Sequence, residues 1–146
     1  MFLLVALASP AGATTTPGVS ATPYNSGDHP WSTDGCTVVP DSGIHGTSLY
    51  YGQPPWGANM WTTAFYDFNH ACIHHDGCYA GRWASKGTCD SWFLNDMRAS
   101  CDAMYPSDSQ AAARIVCRDR AWQYYVGVTT LGWPAYYASS SAIPIA

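Results

Sequence analysis

Apolar positions in the second half of the chain recur at helical intervals. Between Trp61 or Phe68 and Gly81, the residues Phe65, Phe68, Cys72, His75 with Asp76, and Tyr79 fall three or four apart, on one helix face. Gly81 suits a C-terminal stop. A second helix is predicted from Asp90 to Tyr105, with Phe93, Leu94, Met97, Cys101 and Met104 as its stripe and Pro106 as its end. A third runs from Asp108 to Gly132. Ser107 and Gln110 form a capping-box pair before it, and Ile115, Trp122, Tyr125, Val126 and Thr129 make its expected buried stripe. Residues 37–60 carry Pro40, Gly43, Gly46, Gly52, Pro54, Pro55 and Gly57, which predicts a long loop or a series of short turns. After Pro134 the pattern assigns no element. The expected fold is mainly α, built on two long antiparallel helices that hold disulfides.

Residues 14–30 are rich in Thr, Pro, Gly and Ser and read as a flexible lead-in. Ahead of them, Phe2–Ala8 is a short apolar run followed by Ala11-Gly12-Ala13, the small-residue pattern of a cleaved secretory leader. No Lys or Arg precedes the run, so the leader is read as truncated; the alternative is an apolar terminus. The run is too short to span a bilayer, which takes roughly 20 residues. The organisation is therefore a leader over 1–13, a lead-in over 14–30, one domain over 31–132 and a tail over 133–146.

Composition narrows the function classes. Six Lys and Arg against ten Asp and Glu give a net charge of −4, without the cationic stripe that nucleic acid requires. All ten acids are Asp, so carboxylate chemistry must run on Asp. Charged residues are only 11% of the chain and hydrophobic residues reach 47%, which argues against disorder. The six cysteines are Cys36, Cys72, Cys78, Cys89, Cys101 and Cys117, an even number in a small domain, which reads as three disulfides and an exported protein. No C-x2-C pair occurs, which disfavours zinc. Neither a G-x-S-x-G elbow nor a phosphate-cradling G-x-x-x-x-G-K-[ST] loop is present.

The chemistry concentrates in FNHACIHHDGCY, residues 68–79. On a helix, Cys72 lies one turn before His75 and Asp76. A bond from Cys72 to Cys36 would pin Asp34 and Gly35 beside Asp76, gathering two carboxylates and a glycine loop able to offer backbone carbonyls. Such hard oxygen ligands suit Ca²⁺. His75, about 100° round the helix from Asp76, would face a cleft beside the metal. A histidine base needs an orienting carboxylate, and Asp90 shares the inward stripe of the second helix. Asp90 would serve equally as that helix's cap. His70 and His74 are spaced i, i+4 as a transition-metal pair or as two solvated histidines, and no further fixed ligand favours the metal.

These residues resemble secreted phospholipase A2 of the bacterial and fungal type. The resemblance rests on WSTDGCT at 31–37, FNHACIHHDGCY at 68–79, DSWFLNDMRASC at 90–101 and C-x3-AW-x-YY at 117–125, in family order. It implies that His75 is the catalytic histidine and Asp90 its carboxylate partner. Asp76 would be the bidentate calcium ligand, Asp34 the calcium-loop carboxylate, and Gly35 the donor of a backbone carbonyl. Cys36–Cys72 and Cys101–Cys117 match two family disulfides, and Cys78 and Cys89 look like an added pair. The implied activity is calcium-dependent hydrolysis of the sn-2 ester of phospholipids at membrane or micelle interfaces, by a secreted monomer. The chain departs from the pattern in its longer 34–75 segment, its short turn between the catalytic helices, and the Thr/Pro-rich stretch in place of an N-terminal helical region. The rival reading is a non-catalytic, disulfide-stapled module that binds lipid or protein. Tyr50, Tyr51, Trp56, Trp61 and Trp83 are the candidate interface aromatics, and Arg82 and Lys86 the basic residues near the cleft by sequence.

Overall fold

The computed structural model describes residues 35–36, 39–53 and 55–139. The leader, the lead-in and Asp34 lie outside the described residues. The chain is mostly helical: β1 (Ser42–Tyr51) and β2 (Ala58–Asp67) precede α1 (Asn69–Gly81), α2 (Lys86–Met104), a single 3-10 turn, α3 (Ala111–Leu131) and α4 (Trp133–Ser139).

The expected loop over 37–60 is instead largely a strand hairpin, and of the two helix starts expected, Trp61 or Phe68, the second holds: α1 begins at Asn69, with Phe68 as its N-cap. β1 and β2 pair antiparallel from Ser42 opposite Asp67 to Tyr51 opposite Ala58. Residues 61–66 are aromatic, β-branched or Ala, which favours a pleated strand. Their period is two: Ala64 and Tyr66 turn inward, and Trp61 and Phe65 remain exposed. The three-residue spacing of Phe65 and Phe68 thus mimicked a helix. Gly46 gives room for the Trp61 indole, since a Cβ at that position would lie 2.6 Å from the ring where it stands.

The hairpin's inner side meets α3. Tyr66, Phe68 and Tyr124 pack ring against ring, with Tyr66 and Tyr124 hydroxyls 3.1 Å apart. This cluster joins Cys72, Phe93, Leu94, Met97, Cys101, Cys117 and Ala121 in the main core. Three disulfides form, Cys36–Cys72, Cys78–Cys89 and Cys101–Cys117. The last, with a sequence separation of 16, is worth about 3 kcal/mol in the chain-entropy model.

Helix boundaries follow local chemistry. Arg82 ends α1 in the left-handed conformation, its N–H bonded to the Cys78 carbonyl. Ser85 caps α2, accepting from the Thr88 N–H, so α2 starts four residues before Asp90. The Ser107–Gln110 box is present and opens the 3-10 turn ahead of α3. The buried face of α3 is not the predicted stripe. Val116, Cys117, Ala121 and Tyr124 are inside, whereas Ile115, Trp122 and Val126 are exposed. Apolar residues lie on several faces of α3, and the Cys101–Cys117 bond selects the one that turns inward. α4, where no element was assigned, packs its Tyr136 against Tyr79 of α1. Among the described residues no helix is long and apolar enough to cross a membrane.

Candidate functional site

α1 is buried nearly all round, and each of its three histidines pairs with a residue of α2. His70 Nε2 lies 2.8 Å from Ser100 Oγ, and His74 Nδ1 bonds the carboxylate of Asp96. Neither is a solvated histidine: both make interior polar contacts. His75 Nε2 lies 2.8 Å from Asp90 Oδ1. Phe93 stacks on the His75 ring, 4.6 Å between centroids, and Tyr79 packs 4.1 Å away.

Asp90 is therefore the histidine's partner and not a helix cap. Only 1% exposed, it collects three donors. Besides His75, Tyr79 donates its hydroxyl to Oδ1 at 2.5 Å, and Lys86 donates from Nζ to Oδ2 at 2.7 Å. Burial raises the Asp90 pKa, but the bonds from His75, Lys86 and Tyr79 outweigh it and hold the carboxyl below its usual range. Tyr79 is pushed the other way, by burial and by its bond to Asp90. Burial also lowers the His75 pKa against the pull of Asp90, so the imidazole is neutral at pH 7. An ionised carboxylate only accepts, so Nε2 must donate to Asp90 and the lone pair sits on Nδ1. The pair is thus a neutral imidazole base with a fixed tautomer.

His75 and Asp76 line one cavity of about 440 Å³, together with Gly35, Cys36 and Cys72. The Cys36–Cys72 bond holds the Gly35 loop on α1. Asp41 fixes it further: Oδ1 accepts the Cys36 N–H at 2.6 Å and Oδ2 accepts from Asn69 Nδ2 at 2.8 Å. Gly35 has φ +74°, and a Cβ there would meet the Asp41 carboxylate at 2.6 Å, so only glycine fits. Phe93, Val128, Leu131 and Pro134 give the cavity apolar walls.

The structure thus brings His75, Asp90, Asp76 and Gly35 together. Among the described residues no group of three or more His, Cys, Asp or Glu side chains is arranged to hold a metal ion by itself. The cavity lining around His75 includes one carboxylate, Asp76, and the Gly35 residue of the loop. Every cysteine is in a disulfide, so no thiolate competes. This is a hard, oxygen-based donor set of the kind calcium takes.

The basic residues expected near the cleft are engaged elsewhere. Lys86, only 4% exposed, is sealed against Asp90 and the Val128 carbonyl, and Arg82 bonds the Tyr79 and Tyr136 carbonyls; neither lines the cavity. The basic side chain that does is Arg120 of α3. Its spacing to Gln123, Tyr124, Gly127 and Leu131 marks one helix face, the only available signal, but helical spacing cannot say which face meets the cavity. Trp83 packs by His74 and Ile73, whereas Tyr50, Tyr51, Trp56 and Trp61 are exposed. Comparisons with protein-family models, with curated proteins and with solved structures returned no match.

Proposed function

We propose that this chain is a secreted, calcium-dependent phospholipase A2 that hydrolyses the sn-2 ester of glycerophospholipids at membrane or micelle interfaces. One observation carries the reading: a buried His75–Asp90 pair opens on a cavity that also holds Asp76 and the Gly35 backbone. The contacts His75–Asp90, His74–Asp96 and His70–Ser100 support reading α1 and α2 as an antiparallel catalytic pair.

His75 Nδ1 takes a proton from a water, which attacks the ester carbonyl carbon. Asp90 keeps the imidazole in the right tautomer and stabilises its cation, as the carboxylate of a serine triad does. Tyr79 and Lys86 hold that carboxylate in place. The attacking group is water, so a chain with every described cysteine paired needs no side-chain nucleophile. Asp76, the Gly35 carbonyl and Asp34 would hold calcium. When bound, the ion supplies positive charge for the substrate phosphate and the developing oxyanion. The apolar walls at Phe93, Val128, Leu131 and Pro134 receive an acyl chain.

The test is product analysis on phospholipid carrying distinguishable acyl chains in neutral-detergent micelles. The expected products are the sn-2 fatty acid and a lysophospholipid, formed in calcium and abolished by chelator. Asp76→Asn should weaken the calcium requirement's half-saturation strongly, because a hard cation loses a charged ligand. Release of the sn-1 chain, or full activity in excess chelator, would overturn the assignment.

A further inference from the structure

Arg120 is the one permanently cationic side chain among the described residues that line the cavity. Most of its counterparts are accounted for. Lys86 pairs with Asp90 and Arg118 with Asp102, and Arg82 and Arg114 bond backbone carbonyls. Arg120 has no carboxylate partner among the described residues. The neighbouring Asp119 is committed to His45, 2.7 Å away on β1. The Arg120 guanidinium instead lies 5.0 Å from the Tyr124 ring centroid and 5.4 Å from that of Tyr66. Nη1 donates to Gln123 at 2.9 Å, and Nε is buried with no hydrogen-bond partner.

A half-buried guanidinium without a counter-ion is costly to keep, since desolvation is offset only when an anion or polar groups meet it. Tyr66 and Tyr124 hold it with their rings and hydroxyls, but neutral phenols do not neutralise it. It retains a planar fork of N–H donors suited to bidentate contact with an oxyanion. Its place is also informative. Tyr124, whose ring it touches, donates to the Pro40 carbonyl at 2.6 Å, so Arg120 stands near the segment that follows the Gly35 loop.

We propose that Arg120 binds the phosphate of an amphiphile whose acyl chain occupies the apolar walls, and so makes the site selective for phosphate-bearing lipids over uncharged esters. This rests on the phospholipase reading, and it assigns to α3 a recognition role that neither Arg82 nor Lys86 can fill from their sealed positions.

Binding of single-chain amphiphiles, followed by tryptophan fluorescence, tests it without turnover. Wild type, Arg120→Met, Arg120→Gln and Arg120→Lys are titrated with dodecylphosphocholine below its micelle concentration, with dodecyl maltoside, and with inorganic phosphate. Both charge-removing variants should bind dodecylphosphocholine at least about tenfold more weakly, the scale of a lost charge-assisted contact. Arg120→Lys should recover part of the loss, and maltoside binding should not change. Two variants lose the charge, so a folding defect in one leaves the other to decide. Equal dodecylphosphocholine affinities overturn the proposal. So does an equal loss for maltoside, which would make Arg120 merely a wall of the cavity. Inorganic phosphate binding as tightly as the amphiphile would make this a free-phosphate site and also overturn it. Wild type that binds as expected but releases no sn-2 fatty acid would remove the enzyme reading alone; normal hydrolysis with unchanged binding in the variants would remove the Arg120 role alone.

Discussion

Replacing Asp90 by Asn should damage both the base and the fold, and a second substitution should separate the two effects. Asp90 and Lys86 are 1% and 4% exposed, with Nζ 2.7 Å from Oδ2. Asp90→Asn leaves the Lys86 ammonium buried with only the Val128 carbonyl, also 2.7 Å away. Breaking a buried pair from one side typically costs about 3–5 kcal/mol, because the remaining charge is uncompensated. Lys86→Met on top of Asp90→Asn removes that charge. The Val128 carbonyl still accepts the Gly132 N–H at 2.9 Å, so little new polar penalty appears. The double variant should therefore regain at least about 2 kcal/mol over Asp90→Asn, a coupling measurable in a double-mutant cycle. Urea unfolding at pH 7 with disulfides intact reads this directly. Turnover should behave differently. Both variants carrying Asn lose the carboxylate that fixes the His75 tautomer, and both should stay roughly 10²–10⁴-fold slow. A double variant no more stable than Asp90→Asn would refute the buried pair. Recovery of turnover alongside stability would refute Asp90 as the positioning group.

His75→Ala should remove nearly all turnover and leave calcium affinity largely intact, whereas His74→Ala, which breaks the buried contact to Asp96, should lower the unfolding midpoint and retain turnover; the reverse assignment of activity loss would place the base one residue off. Burial lowers the His75 pKa, so the acid limb of the pH–rate profile should lie below the ordinary histidine value of about 6.5, and a limb at or above pH 7 would contradict it. The stability sign follows from linkage. Unfolded His75 takes up a proton that the folded residue refuses, so its contribution falls as pH drops below about 6.5, and the Asp90 contribution is lost further down as pH falls through its lowered folded value. Trp56 and Trp61, at 88% and 73% exposure, should carry liposome binding that survives physiological salt, because residues 42–66 contain no Lys, Arg, Asp or Glu; binding that collapses between low and physiological salt, read by tryptophan fluorescence, would show that charge dominates.

Local spacing was enough to locate the chemistry. HHDGCY places His75 and Asp76 on adjacent faces of a helix, and the inward position of Asp90 demands a buried partner. The Phe93–Met97–Cys101 stripe likewise identifies the inner side of α2, because its apolar residues fall on one face only. Spacing failed where apolar residues were not confined to one face or one period. α3 carries them on several sides, and the disulfide at Cys117 together with the Tyr66–Tyr124 contact decides which side turns in. Gly43 and Gly46 in β1 and the glycines and prolines flanking the hairpin concealed strands whose stability comes from cross-strand pairing, such as the Trp61 ring over Gly46, that no local window contains. The choice between helix cap and histidine partner for Asp90 was open in the same way. It was settled by Ser85 taking the cap and by α1 presenting His75 at 2.8 Å. Lys86, Asp41 and Arg120 gain their roles from partners on other elements, through contacts that depend on how α2, α3 and the hairpin pack around α1. Sequence periodicity specifies which residues share a face; the burial of that face, and hence the charge and hydrogen-bond environment of each group on it, arises from long-range packing.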